Sequence, residues 1–371
     1  MSTNPSALVL PALTLALLLN ESAPRPAAAP PVFPGKEWTR VDARSAGTTS
    51  ARLEALRATL SGGQTTGMMV VVGGRVVFEY GNTAEVSYIA SCRKSVISML
   101  YGKYVTKGTI PLTKTLRQLG IDDKGGLLPA ELDATVGDLL SARSGVYHPA
   151  ANLGDASDRA PARGSVAHGS YFLYNNWDFN VLGAILERET KQSVYALFSS
   201  DIAAPLGLQD WNPKAGAYDE AVRNDTGLSN WPAHHFLLST RDMARVGYLM
   251  LRKGRWQDAQ VIPEAWAARS TRLVTPAGEV ARTSPFIAGL GYGYLWWIFD
   301  PARYAASPLA GAYTASGSYG QYITVVPTLD LVVAHKTAVP PPRNVTNEQY
   351  FGTILPQVLA LYEDSTKTSV R

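Results

Sequence analysis

Residues 68–80 read MMVVVGGRVVFEY, two runs rich in β-branched residues on either side of Gly73-Gly74. Glycine readily adopts the positive φ angles that a two-residue hairpin turn requires, so this pair marks a turn. The stretch therefore predicts a β-hairpin with strands at Met68–Val72 and Arg75–Tyr80.

Helical and strand patterns follow this hairpin in blocks. Apolar residues at helical spacing predict a helix over Ser91–Val105. Further helical patterns lie at 135–142, 177–189, 194–203 and 240–252. Strand patterns return at 291–299, 321–327 and 331–335, and the pattern at 347–362 predicts a closing helix. Early strands, a helical middle and late strands predict an α/β fold whose sheet is completed by both ends of the chain.

The composition excludes several classes of protein. Hydrophobic residues make up 46% of the chain and charged residues 17%, so the chain can bury a large core and is not of disordered composition. The net charge of +4 comes without a basic block or a zinc-finger spacing, so we expect no nucleic-acid partner. Because Cys92 is the one cysteine and the histidines lack a ligand spacing, we also expect no metal site.

The N-terminal segment, residues 1–33, has the pattern of a secretory signal peptide. Residues 7–19 are almost purely apolar, a length that fits the core of a signal peptide rather than a transmembrane helix. Met1–Ser6 contains no Lys or Arg, so a disordered N-terminal arm is the alternative. We expect a periplasmic or secreted protein without a stable membrane span in the mature chain, and a cytoplasmic location is the alternative.

The stretch Ser91-Cys92-Arg93-Lys94 places a serine and a lysine three positions apart at the start of a predicted helix. Positions i and i+3 share a helix face, so the Lys94 amine is expected beside the Ser91 hydroxyl. Serine needs a partner that takes its proton, and a helix N-terminus favours a developing oxyanion. The alternative is a surface helix that Ser91 merely caps.

A second motif is Tyr174-Asn175-Asn176, which follows a polar loop and precedes the helix predicted at 177–189. A tyrosine on such a loop can project its hydroxyl into a cleft and act with Lys94 as general base and acid. The Asn176 amide can donate to a substrate carbonyl. The alternative is an asparagine that caps the helix.

A third motif, Gly317-Ser318, leads into the strand predicted at 321–327. Glycine at a strand edge lets a substrate lie close to the backbone. The backbone amide of Ser318 can then face that of Ser91 as a two-donor oxyanion hole. The alternative is a hairpin turn without a catalytic role.

In this order, Ser91-x-x-Lys94, Tyr174-x-Asn176 and the late glycine resemble the serine β-lactamase and penicillin-binding-protein superfamily. The chain is most similar to its class C-like branch, which includes esterases and 6-aminohexanoate-dimer hydrolases. Supporting stretches lie at 136–141, 144–146, 204–208 and 238–247. The resemblance implies an α/β (α+β) fold of the β-lactamase/transpeptidase type, an antiparallel sheet flanked by helices with an inserted all-α lobe.

The resemblance also implies a role for each motif. Ser91 attacks an acyl carbon and forms an acyl-enzyme, while Lys94 and Tyr174 move protons. The amides of Ser91 and Ser318 hold the oxyanion, and Asn176 orients the substrate. Neither a metal nor an organic cofactor is implied.

The chain departs from the superfamily at Ala315-Ser316-Gly317, where Lys-Thr-Gly or His-x-Gly is common. The cation that pairs with a β-lactam carboxylate is missing, and such a charge-assisted hydrogen bond contributes about 1.5–3 kcal/mol. We therefore predict a hydrolase of small ester, amide or peptide-like substrates with weak or no β-lactamase activity. A DD-peptidase and a non-catalytic ligand-binding module on the same scaffold are the alternatives.

The predicted organisation is one serine hydrolase domain over 34–371. Its α/β lobe comprises about 34–105 and 286–371, and its helical lobe about 106–285. The sequence does not determine the oligomeric state.

Overall fold

The structure is a computed structural model that describes residues 31–46, 48–152, 154, 156–214, 224–285, 287, 289–338 and 343–362. Residues 1–30 of the predicted signal peptide or arm lie outside the described residues. No helix in the described ranges is long and apolar enough to cross a membrane.

An eight-stranded sheet and several short strands organise the chain. The strands are β1 Thr39–Arg40, β2 Gly67–Val72, β3 Arg75–Gly81, β4 Ser87–Tyr88, β5 Leu237–Leu238, β6 Arg255–Trp256, β7 Ala259–Gln260, β8 Leu290–Tyr292, β9 Trp297–Phe299, β10 Tyr313–Gly317, β11 Gln321–Val326 and β12 Leu331–Lys336. The helices and helical turns are Ala43–Ala46, Ser50–Ser61, Cys92–Thr106, Leu116–Leu119, Glu131–Asp133, Val136–Leu140, Ser157–Arg159, Asn176–Thr190, Val194–Phe198, Ser199–Ala203, Ala204–Leu206, Thr240–Leu251, Glu264–Ser270, Ala277–Thr283, Pro301–Tyr304, Pro327–Leu329, Asn347–Gln349, Tyr350–Ile354 and Leu355–Ala360.

The sheet joins the two ends of the chain, as the sequence predicts. Its strand order is β1-β3-β2-β12-β11-β10-β9-β8, so the early hairpin β2–β3 lies beside the late strand β12. The pair β12–β2 is antiparallel, with Val332 opposite Val71. The expected antiparallel sheet flanked by helices is thus confirmed, with one exception at its edge, where the short strand β1 runs parallel to β3.

Helices cover both faces of this sheet, which explains why its central strands are apolar without alternation. On one face, Gly247 of the helix Thr240–Leu251 lies against Val332 and Ile323. On the other face, Tyr350 stacks on Tyr322 with ring centroids 3.8 Å apart. Tyr322 and Ile323 are adjacent on β11, so their side chains point to opposite faces and each meets its own helical layer.

One sequence prediction is wrong in this half of the chain, and the predicted closing helix is present with an irregular turn. Residues 291–299 form two antiparallel strands rather than one, because Gly293 N donates to Trp296 O at 2.9 Å and closes a tight turn between β8 and β9. Leu295 takes a left-handed conformation in that turn (φ 61°). The closing helix contains a π-helical turn at Tyr350–Ile354. Pro356 follows that turn and has no amide hydrogen for the regular i−4 bond.

The regular elements between the two sheet-forming ends are mostly helices, but this region also contributes strands. β5 pairs with β4, with Ser87 opposite Leu238. This pair connects the segment before Ser91 to the segment before the helix Thr240–Leu251. The predicted lobe boundaries at about 106 and 285 stay a prediction.

The close approach at Gly247 gives a test of the packing. A Cβ atom at this position would lie 2.6 Å from Val332 Cγ1 and 2.8 Å from Ile323 Cγ2. We expect Gly247→Ala to lower the free energy of unfolding by about 1–3 kcal/mol, because overpacking outweighs the helix propensity that alanine adds. Urea denaturation followed by circular dichroism measures the change.

The matched control is Gly278→Ala in the helix Ala277–Thr283. Gly278 is exposed and no other atom lies within 4 Å of a Cβ built there. This variant should be neutral or stabilised by up to about 1 kcal/mol. Equal stability changes at the two glycines would contradict the packing described here.

Candidate active site

Ser91 lies where the short strand β4 turns into the helix Cys92–Thr106, which we call the Ser91 helix. Ala90 immediately before it has a φ of 48°, a left-handed conformation that is uncommon for alanine. Ser91 itself has helical angles and its side chain does not cap the helix. The helix N-terminus thus carries a serine whose hydroxyl is directed to another partner.

That partner is Lys94, one turn along the same helix. Lys94 Nζ donates to Ser91 Oγ at 3.0 Å and to Tyr174 Oη at 2.6 Å. Lys94 is 2% exposed to solvent, whereas Ser91 is partly exposed. The helix is buried along most of its length, so the alternative of a surface helix capped by Ser91 is wrong.

Aromatic side chains hold the hydroxyl of Tyr174 in place. The Tyr174 ring packs against Phe179 and Trp297, with centroids 5.0 and 5.2 Å away. The Lys94 amine lies 4.1 Å from the Tyr174 ring centroid and 4.7 Å from that of Phe179. A cation so placed is attracted by the ring faces, which offsets part of its lost hydration.

The two asparagines of the second motif make different hydrogen bonds. Asn175 caps the helix Asn176–Thr190 by accepting from Trp177 N at 3.0 Å. Asn176 is 1% exposed and its Nδ2 donates to the carbonyl of Asn152 at 3.3 Å. Capping therefore occurs one residue earlier than Asn176, whose amide is bonded to the loop that carries Asn152.

The third motif brings the sheet against the serine. A Cβ atom built on Gly317, at the end of β10, would lie 2.5 Å from Ile89 O and 3.1 Å from Ser91 N. Only glycine allows this approach of two backbones. The end of β10 consequently lies next to the amide of Ser91, and Ser318 follows it in the turn to β11.

Two cavities meet at Ser91. The first, of about 250 Å³, we call the Trp297 cavity; its lining comprises Ser91, Gly154, Tyr174, Ile287, Trp297, Ser316, Gly317, Ser318, Tyr319, Gly320, Tyr322, Asn344, Val345, Thr346 and Asn347. The second, of about 340 Å³, we call the Arg93 cavity; its lining comprises Tyr88, Ala90, Ser91, Arg93, Asn152, Gly154, His235, Ser318 and Tyr319. The nucleophile candidate is thus reachable from two sides.

The structure brings five of the six predicted site residues around one point. Ser91, Tyr174, Gly317 and Ser318 line the Trp297 cavity, and Lys94 lies behind Ser91 and Tyr174. Asn176 is not in the wall of either cavity, so its geometry favours an action through Asn152 rather than direct contact with a substrate.

Several residues of the site escaped the sequence reasoning. The Arg93 cavity is lined by Arg93, Asn152 and His235, among others. Arg93 and His235 are each 1% exposed to solvent. Arg93 lies inside a motif that the sequence does identify, but the direction of its side chain depends on the packing of the Ser91 helix. Asn152 and His235 belong to segments far apart in the chain, and no local pattern marks them.

Lys336, at the end of β12, supports the segment before Ser91. Its Nζ donates to Ser87 O at 3.2 Å, to Glu85 O at 3.4 Å and to Leu238 O. Burial lowers the pKa of Lys336 to about 7. An amine donates hydrogen bonds in both of its protonation states, so these bonds to β4 and β5 do not require a positive charge on Lys336.

Cys92 is unsuited to be the nucleophile although it adjoins Ser91. Its side chain is fully buried and donates to Gln321 O at 3.2 Å. Burial raises the pKa of this thiol, and the reactive form of a cysteine is the thiolate. The thiol therefore acts as a small packing group under the site.

Comparisons with known proteins identify the family and the fold of the chain. Residues 53–350 match the family model described as Beta-lactamase. No curated protein matches the chain closely enough to be counted. Among solved structures, a 6-aminohexanoate-dimer hydrolase homologue from Bacillus anthracis is 20% identical with a TM-score of 0.62, covering 91% of this chain and 88% of its own.

Two further solved structures have the same fold. EstCE1, a hydrolase with promiscuous acyltransferase activity, is 17% identical with a TM-score of 0.60, covering 86% of this chain and 99% of its own. A penicillin-binding protein homologue from Caulobacter crescentus is 16% identical with a TM-score of 0.59, covering 86% of this chain and 98% of its own.

At these identities the structural likenesses show the fold alone. The family model covers most of the chain and includes all three motifs. On this match, with the serine, lysine and tyrosine joined by hydrogen bonds, the chain belongs to the beta-lactamase family and has the fold of its serine hydrolases.

Proposed function

We propose that this protein is a serine hydrolase that cleaves an ester or amide through an acyl-enzyme on Ser91. The observation that carries the proposal is the chain of hydrogen bonds from Ser91 Oγ through Lys94 Nζ to Tyr174 Oη, located where two cavities meet. A serine with a buried amine and phenol joined beside it and open space before it has what a nucleophile requires.

The same three groups supply a route for the proton. Ser91 Oγ attacks the acyl carbon while its proton passes to the Lys94–Tyr174 pair. Tyr174 lines the Trp297 cavity, so the pair can return the proton to the departing alcohol or amine there. A water then attacks the acyl-enzyme and gives its proton to the same pair. The bond between the acyl carbon and Ser91 Oγ breaks, the pair returns the proton to Ser91 Oγ, and the acid leaves.

The oxyanion is held by the backbone amides of Ser91 and Ser318. The contact between Gly317 and the Ser91 loop supports this role, because it brings the end of β10 beside the Ser91 amide. The Ser91 helix adds its positive N-terminal end. Amides fixed in position stabilise a developing negative charge without the reorganisation that water would need.

Asn176 acts as a positioning residue for the substrate. Its amide holds the carbonyl of Asn152, and Asn152 lines the Arg93 cavity. In this arrangement Asn176 orients the substrate by fixing the loop that contacts it.

We propose weak or no β-lactamase activity. Ala315 on β10 offers no cation for a β-lactam carboxylate, and the described residues lining the Trp297 cavity are all uncharged. The lining of the Trp297 cavity therefore favours an uncharged part of the substrate. The similar solved structures are named as a 6-aminohexanoate-dimer hydrolase, a hydrolase with promiscuous acyltransferase activity and a penicillin-binding protein homologue, so the choice between ester and amide is left to experiment.

A substrate panel tests the reaction. We expect the wild type to hydrolyse p-nitrophenyl butyrate or a linear butyramide at least tenfold more efficiently, in kcat/KM, than nitrocefin or ampicillin. We expect Ser91→Ala to lose at least about a thousandfold in kcat, because the nucleophile is gone. Mass spectrometry after rapid acid quenching should find a transient acyl adduct on Ser91 in the wild type.

The control is the neighbouring Cys92→Ala, which removes the other possible nucleophile and should keep hydrolysis within a few-fold of the wild type. Unchanged hydrolysis in Ser91→Ala would contradict the proposal. A permanent adduct without product release would indicate a binding module instead. Faster cleavage of a D-alanyl-D-alanine peptide than of any ester or amide would indicate a DD-peptidase.

The contact at Gly317 gives a second test. We expect Gly317→Ala to lower kcat/KM for the best ester about a hundredfold, because the new methyl group displaces the Ser91 loop from the end of β10. Steady-state kinetics with a thermal melt separates this effect from unfolding. Gly278→Ala, at an exposed position in another helix, is the control and should leave kcat/KM unchanged. Equal kinetics in both variants would contradict the oxyanion geometry.

We also propose that the protein is exported to the periplasm or the medium, on the strength of the apolar run at 7–19. Expression of the full chain in a bacterium, fractionation and N-terminal sequencing test this. We expect a mature N-terminus shortly after Ala27–Ala29, where small residues suit cleavage. Recovery of the uncleaved chain from the cytoplasm alone would contradict export.

A further inference from the structure

The turn between β10 and β11 carries the Ser318 amide, and its backbone is strained. Tyr319 has a φ of 71°, a left-handed conformation that is uncommon for a tyrosine. Ser318 and Tyr319 both line the two cavities at Ser91. A strained backbone persists where the surrounding structure holds it in place, so the contacts of this turn show what maintains it.

Thr337, the residue directly after β12, supplies one of these contacts from inside the protein. Its side chain is fully buried, and Thr337 Oγ1 donates to Tyr319 O at 2.5 Å. The same hydroxyl oxygen accepts from Gln321 Nε2 at 3.1 Å, so the hydroxyl both donates and accepts. Val345 N also donates to Tyr319 O, at 3.1 Å. The carbonyl of the left-handed residue is thus held by two donors.

Two planar peptide groups connect the Thr337 hydroxyl to the Ser318 amide. The carbonyl of Tyr319 and the N–H of Gly320 belong to one trans peptide and therefore point in opposite directions. Gly320 N donates to Gly317 O at 3.3 Å. The carbonyl of Gly317 shares a trans peptide with the N–H of Ser318, which consequently points away from Gly320. A bond at Tyr319 O therefore fixes the direction of the Ser318 N–H two peptides away.

His335 on β12 holds the next carbonyl of the same turn. Burial lowers the pKa of His335 to about 4, so the ring is neutral near pH 7. His335 Nδ1 lies 2.8 Å from Gly320 O, and this nitrogen carries the proton because a carbonyl only accepts. His335 Nε2 then accepts from Thr65 Oγ1 at 2.8 Å. The carbonyls of Tyr319 and Gly320 are therefore both tied to the end of β12, which restricts rotation of the peptides in the turn.

We propose that Thr337 is a positioning residue of the oxyanion hole, which orients the Ser318 amide through the peptide between Tyr319 and Gly320. This inference rests on the proposed function of Ser91, because attack by that serine creates the oxyanion. The hydrogen bonds in the series run in one direction and polarise one another, so they also strengthen the Ser318 N–H as a donor. The benefit arises in the transition state, where charge develops on the substrate oxygen, rather than in substrate binding.

Removal of the hydroxyl at nearly constant shape tests this role. We expect Thr337→Val to lower kcat for the best ester about tenfold or more, with KM within about twofold of the wild type, because the Ser318 amide loses its alignment. Thr337→Ser keeps the hydroxyl and should have a kcat within about threefold of the wild type. n-Butylboronic acid, which forms a tetrahedral adduct with an active serine, should inhibit Thr337→Val with a Ki about tenfold higher. A wild-type kcat in Thr337→Val overturns the inference.

The matched control is Thr324→Val on β11. Thr324 is also fully buried, and its Oγ1 lies 2.9 Å from Thr314 Oγ1 and 2.8 Å from Tyr350 Oη. It is not among the described residues that line the two cavities. This variant should lower the melting temperature as Thr337→Val does, since each loses a buried hydroxyl, but should leave kcat and the Ki unchanged. An equal fall of kcat in both variants overturns the inference.

If Thr337→Val does not fold, Thr337→Ala and Thr337→Ser decide, because these two variants differ by the hydroxyl alone. The alanine variant should have the lower kcat by about tenfold, and equal values overturn the inference. Failure of the proposed function shows separately, as hydrolysis that survives Ser91→Ala. An inactive Ser91→Ala together with a wild-type kcat in Thr337→Val contradicts the role of Thr337 alone.

Discussion

The amine of Lys94, nearly removed from water, is the group on which the site depends. A buried amine is costly unless polar partners and ring faces replace its hydration. Here the partners are the hydroxyls of Ser91 and Tyr174 and the rings of Tyr174 and Phe179. Those partners come from two different helical segments, so both must pack correctly before the amine is satisfied. The arrangement that satisfies Lys94 also joins the hydroxyl of Ser91 to the hydroxyl of Tyr174.

The sheet completes this arrangement from the other side. Because Gly317 has no side chain, the end of β10 lies directly against the loop that carries Ser91. Below that loop, Lys336 on β12 bonds to carbonyls of β4 and β5 and ties the loop to the sheet. The serine is therefore positioned by helix, loop and sheet together, and the space left between them forms two cavities.

Local patterns predicted most of the longer elements, but they missed the helix Ser50–Ser61 and the strand β10, and one predicted strand contains a turn. The hairpin β2–β3 and the helices Cys92–Thr106 and Asn176–Thr190 follow from residue periodicity and turn residues, which act within a few positions. The strand predicted at 291–299 is two strands, since a run of aromatic residues conceals the turn that Gly293 and Leu295 make. The roles of the motif residues came from their order along the chain, and only the fold could bring those segments together.

The sequence by itself determined the pattern of strands and helices, the Ser-x-x-Lys spacing and the absence of a cation at Ala315. These depend on residue types and short separations, which a chain carries before it folds. Only the tertiary structure decided that Asn175 rather than Asn176 caps its helix, that Asn176 bonds to the loop of Asn152, and that Arg93 lies in a cavity wall. The physical reason is that burial and side-chain direction depend on neighbours distant in the sequence, and no local pattern encodes which neighbours those are.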